Sequence, residues 1–200
     1  MIDFDKIRTF YKIGRTLTLN DAQILIRAAK SKSFAAGDSL IREGDLRREV
    51  FFIRKGLVRA FKVNDKGEEI TLDLRCENQV VTSLSIVLFN QASEAYFQAL
   101  EPTDVFYMDY DILQSIISNN PKLEAHRKYV FQKEMKHAYR RIDAFVMLSP
   151  EERYLQFVED NPDMINRVHN KYIANMLGIT PVSLSRIRKR ISRKRMAIAQ

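Results

Sequence analysis

Cysteine is nearly missing from this 200-residue chain: Cys76 stands alone. One cysteine forms neither an internal disulfide nor a thiolate metal or cluster site, so protein-sulfur redox chemistry would need a second subunit, and a buried structural thiol is the simpler expectation. Long apolar runs are missing too. No stretch approaches the length of a membrane span, and the opening "MIDFDKIRTFYK" has no signal-like apolar segment, which predicts a cytoplasmic chain without membrane association. Phosphate-cradling glycine loops, metal-ligand spacings and nucleophile elbows are also absent, and three scattered histidines make no site; an enzyme is not expected.

The most telling absence is local. From Asn166 to Gln200 there is no Asp or Glu against nine cations, Arg167, Lys171, Arg186, Arg188, Lys189, Arg190, Arg193, Lys194 and Arg195. The first 165 residues hold the other 24 of 33 cations against all 25 acids, so the chain's net charge of +8 belongs to one end. A solvated basic helix usually carries interspersed acids for pairing one turn away. A polyanionic partner explains their absence better.

What is present falls into three parts. Residues 34 to 110 read as short strands with reversals at Gly37, Gly44, Gly56 and Gly67, the pattern of a small barrel or sandwich. Ahead of them "TLNDAQILIRAAK" predicts an amphipathic helix capped by Asn20 or Asp21. Between Pro121 and Pro150, Phe131, Met135, Ala138, Ile142 and Phe145 recur at alternating spacings of four and three, a heptad seam that packs either on its own domain or on the same helix of a second copy. Then "SPEERYLQFVED" supplies Ser149 as helix cap, Pro150 at the first helical position and acids in the first turn.

The closing stretch "IANMLGITPVSLSRIRKRISRKR" reads as a helix-turn-helix. Gly178 takes the turn, Thr180 caps the second helix, Pro181 starts it, and Ile173, Ala174, Leu177, Ile179, Leu184 and Ile187 lock the helices together. With Leu184, Ile187 and Ile191 inward, Val182, Ser185, Arg186 and Lys189 face out as candidate base contacts, Arg186 foremost because its guanidinium can bridge guanine O6 and N7. Lys171, Thr180, Ser183 and the Arg188 to Arg195 cluster, Arg188 and Arg190 included, suit phosphates.

In this order, "GDSLIREGD", "FFIRKGLVRAF", a long helix and "HNKYIANMLGITPVSLSRIRKRI" together resemble the Crp/Fnr family of bacterial transcription regulators. The resemblance implies an α+β chain: a sensor β-roll like the cyclic-nucleotide-binding domain with flanking helices over 1–118, a long dimerisation helix over 119–148, and an all-α helix-turn-helix domain over 149–200. It implies a homodimer on two-fold symmetric operator DNA, with RNA polymerase as a further partner. By position, Pro181, Val182 and Arg186 match the family's base-contacting sites, and His169, Lys171, Thr180 and Ser183 its phosphate-contacting ones. Pro181 is too short and lacks a donor, which implies an operator different from the type member's. After Ile191 only "SRKRMAIAQ" remains, too little for the β-hairpin wing that often follows, so a cationic helical extension is expected instead.

The effector site departs further. Where cyclic-nucleotide-binding members carry a Gly-Glu-Leu turn and an Arg-Ser pair, this chain has Thr82, Ser83 and Leu84, then Ser93 and Glu94, and the phosphate-neutralising arginine is missing. Cyclic AMP is therefore not an expected effector; nor is an iron–sulfur cluster, its cysteines being absent, nor haem, His126 and His137 being expected at the surface. The competing reading is a cyclic-nucleotide-responsive module, as attached to kinases and channels, whose basic end acts on a protein or lipid partner. The missing arginine and the helix-turn-helix pattern both count against it.

Overall fold

The computed structural model describes residues 19–198, with side chains over 23–193. The chain divides into two compact units, 1–135 and 136–200.

In the first unit, α1 (Leu19–Ala28) precedes eight strands: β1 (Lys30–Phe34), β2 (Ser39–Ile41), β3 (Glu49–Lys55), β4 (Val58–Val63), β5 (Glu69–Arg75), β6 (Val80–Val81), β7 (Tyr96–Ala99) and β8 (Thr103–Asp109). A short helix, α2 (Leu84–Phe89), lies between β6 and β7, and α3 (Tyr110–Ser118) follows β8. The strands form two antiparallel four-stranded sheets, ordered β1-β8-β3-β6 and β2-β7-β4-β5. Sequence neighbours are mostly not sheet neighbours, as a roll requires. Helix α1 is described from Leu19, so Asn20 and Asp21 lie within the helix, and their side chains, on which the expected cap rests, lie outside the described residues. An acid in the first turn still suits the helix dipole.

Alternation in β8 explains how the sheets and helices share a layer. Val105 and Tyr107 face the core with Phe34, Leu40, Phe51, Ile53, Val58 and Val81, while Phe106 and Met108 face Leu25, Ala29, Ile117 and Leu123 of the flanking helices. Both faces of that strand are thus buried. Gly56 is fixed by φ of 112° and by a close approach: a Cβ there would lie 2.4 Å from Thr103 Oγ1.

After α3 the chain breaks at Asn120, whose side chain accepts from the Lys122 and Leu123 amides, and α4 (Pro121–Met147) begins. The boundary between the two compact units falls within α4. In the first unit Arg75 bonds Asp73 and also Glu134 of α4, at 2.6 and 2.8 Å. The row Phe131, Met135, Ala138, Ile142 and Phe145 is exposed in the single chain, Ile142 to 65%. The row is thus left largely open, with Phe145 in part covered by its own unit.

The second unit continues with α5 (Pro150–Asp160), α6 (Asn170–Met176) and α7 (Pro181–Ile198). Ser149 and Glu152 close a reciprocal capping box at the start of α5, as "SPEE" predicts. Tyr154, Phe157, Met164, Val168, Ile173, Ala174, Leu177, Leu184 and Ile187 supply the buried core.

Candidate nucleic-acid interface

Helix α6 starts at His169, whose Nδ1 accepts from the Lys171 amide at 3.2 Å. With Nδ1 taken up by that bond, Nε2 is the ring nitrogen left over on an exposed side chain. The helix ends in a Schellman motif, with the Gly178 amide on Asn175 O and the Ile179 amide on Ala174 O. Gly178 holds φ of 67°, which the turn requires. Thr180 Oγ1 accepts from the Ser183 amide at 3.1 Å and lies 2.9 Å from the Ser183 hydroxyl, so the predicted cap of α7 is in place ahead of Pro181.

Along α7, Leu184 and Ile187 are buried against α6 and Ile191 is half-buried, leaving Val182, Ser185, Arg186 and Lys189 exposed on the opposite side. Together with Pro181 these four line one shallow concavity. Arg193 continues the row, since Val182, Arg186, Lys189 and Arg193 follow at steps of four, three and four. His169 and Lys171 are exposed near the start of α6.

Two of the expected phosphate ligands are placed differently from a free basic face. Arg188 is half-buried: Nη1 donates to Asn170 Oδ1 at 2.5 Å and the guanidinium lies 5.5 Å from the centre of the Tyr154 ring. It follows Leu184 by one turn, at the edge of the buried stripe, and that spacing is the signal by which its inward position could have been read. Arg190 is exposed but forms an ion pair with Glu151 in the first turn of α5. The side chains of Lys194 and Arg195 lie outside the described residues.

Of the expected effector residues, Thr82, Ser93 and Glu94 are occupied with the fold. Thr82 donates its hydroxyl to Glu49 O at 2.9 Å, Ser83 is buried at the start of α2, and Leu84 is exposed. Ser93 is buried, its hydroxyl donating to Ala95 O and its amide to Asp45 O, both at 2.8 Å. Glu94 turns to solvent and pairs with Lys62 at 2.6 Å; the hydrogen bond from that ammonium, and its charge, hold the carboxyl below its ordinary range. The strand run "VRAFKV" conceals one more polar group. Arg59 of β4 is only 1% exposed, bonded to Glu69 and Gln98 and stacked 4.0 Å from the Phe61 ring centre.

Of the two histidines on α4, His137 is exposed as expected, but His126 is half-buried beside Tyr129. Burial pushes its imidazole below the ordinary range. Among the described residues no three His, Cys, Asp or Glu side chains cluster as metal ligands, and no helix is long and apolar enough to cross a membrane.

A double-sheet roll, a long helix with an open apolar row and a helix-turn-helix make up the described fold. Residues 31–120 match the family described as Cyclic nucleotide-binding domain. Over 172 residues the chain is 23% identical to Electron transport regulator A of Shewanella oneidensis, covering 79% of this chain and 67% of that one. It is 22% identical over 169 residues to the Fumarate and nitrate reduction regulatory protein of Vibrio cholerae, covering 79% and 67%. The solved structure of FixK2 from Bradyrhizobium japonicum shares the fold with a TM-score of 0.72 at 16% identity, over 83% of this chain and 85% of that chain. Over most of its length this chain is therefore similar to proteins named as regulators, in line with the resemblance carried by its sequence motifs.

Proposed function

We propose that this chain binds duplex DNA sequence-specifically as a homodimer, with α7 of each copy in the major groove of one half of a two-fold symmetric operator. The observation that carries the reading is the exposed row Val182, Ser185, Arg186 and Lys189, mounted on a helix whose opposite side is buried, in a segment without acids. Arg186 is assigned to a guanine edge and Val182 to a thymine methyl. His169, Lys171, Thr180, Ser183 and Arg190 are assigned to phosphates, His169 through Nε2–H. Arg188 supports α6 from within the fold. The apolar row on α4 pairs with its counterpart, which places half-sites about one helical turn apart.

The test is binding to operators selected from random duplex DNA, measured between about 50 and 200 mM salt. Affinity should fall steeply as salt rises. Arg186→Ala should weaken selected sites by about 1–3 kcal/mol per half-site and relax choice at one symmetric pair of base pairs. Indifference to salt, or an equal loss on selected and random DNA, contradicts the assignments.

The roll is assigned no cyclic nucleotide and the chain no catalytic role. A cyclic phosphate carries a full charge, and burying it needs an arginine fork or a set of free donors. Ser93 stands where that arginine would be, and its hydroxyl and amide are already bonded within the roll. Calorimetric titration with cyclic AMP or cyclic GMP should show no micromolar binding. Binding lost on Ser93→Ala would show the opposite.

A further inference from the structure

Phe145 occupies two places at once. It is the last member of the open apolar row on α4, and one edge of its ring lies under the turn of the helix-turn-helix: a Cβ on Gly178 would stand 2.8 Å from Phe145 Cε1. Gly178 is therefore demanded both by its φ of 67° and by the ring beneath it.

Arg153 of α5 closes the same joint. Nε donates to Leu177 O at 3.2 Å, Nη1 donates to Leu148 O at 2.8 Å, and the guanidinium carbon lies 5.0 Å from the centre of the Phe145 ring. Leu177 is the cap residue that ends α6, and Leu148 follows the last residue of α4. Both carbonyls sit at helix C-termini, where backbone acceptors lack helical partners and the dipole favours a cation. One planar fork thus ties two helix ends together with an aromatic ring on its face. A lysine supplies the charge but not the fork.

We propose that Arg153 is a positioning residue for operator recognition: by fastening the turn of the helix-turn-helix to Phe145 at the end of α4, it sets the spacing and angle at which two copies present α7. This rests on the reading above, that the chain binds two half-sites as a dimer. Arg153 touches no DNA. It acts through Leu177, Gly178 and Phe145, and its half-buried guanidinium is directed to carbonyls rather than to solvent.

The experiment uses the full chain and an operator selected by it, rebuilt as the intact site, as sites with the halves one base pair closer or farther apart, and as a single half-site. For Arg153→Met, half-site affinity should stay within about twofold of the parent, while the advantage of the intact site over the half-site falls about tenfold and the preference among spacings flattens. Arg153→Lys keeps a charge at the joint and should fold where the methionine variant does not; it too should flatten the spacing preference. Equal losses on half-site and intact site, or an unchanged spacing preference in the folded variants, would overturn the proposal. A parent chain that prefers no duplex, or binds only as a monomer, would overturn the underlying reading and Arg153's role with it.

Discussion

His126 shows how one side chain can carry a stability signal unrelated to DNA. Its imidazole is held below the ordinary range by burial, so the unfolded state takes up the proton first as pH falls. From about pH 6.5 downward the unfolded chain binds more protons than the folded one, and stability declines until the folded imidazole is also charged. Thermal melts at about pH 7.5 and 5.5 should therefore show a larger loss for the parent than for His126→Phe, which keeps a ring but cannot titrate. Equal losses would place the acid sensitivity elsewhere. The sequence could not reveal this burial, because His126 sits among Glu124, Arg127 and Lys128 at the start of the helix, ahead of its apolar row. Arg188 and Arg153 were hidden for a related reason: composition counts a cation as outward, whereas a guanidinium with a helix end or a ring to cover turns inward.

Among the elements, the helix-turn-helix was legible almost residue by residue, because each part has its own chemical demand: positive φ at Gly178, a hydroxyl at Thr180, no amide hydrogen needed at Pro181. The start of α1 was less so, since Asn20 and Asp21 are acceptable both at a cap and in a first turn. For α4 the period was readable but its partner was not. The structure leaves the row from Phe131 to Phe145 exposed, and Tyr139, also exposed, widens it. Ile142→Glu would bury two like charges across a two-fold axis if that row pairs with itself. Sedimentation should then show monomers, with operator binding greatly weakened. A variant that stays dimeric would assign the contact to another surface.

At the scale of the whole molecule, charge is segregated: a nearly neutral roll and a cationic end. The alternating strands and the glycine reversals were visible in sequence, while the sheet order was not, since it depends on pairings such as β1 with β8 that join residues more than seventy positions apart. The effector region is where the sequence said least about structure; Ser93 and Glu94 proved to be committed to Ala95 and Lys62.

The ion pair between Arg190 and Glu151 has a consequence for how binding would be counted. An exposed cation without a fixed partner is accompanied by mobile anions, which a phosphate displaces into solution. Arg190 instead carries a tethered competitor, so moving it to a phosphate exchanges one fixed carboxylate for another anion. Part of the attraction is thereby withheld from every duplex alike, a brake on non-specific capture. Glu151→Gln should strengthen binding to random and selected DNA by the same factor and steepen the salt dependence by about one phosphate contact. A gain confined to selected operators would place Arg190 among the base-reading residues.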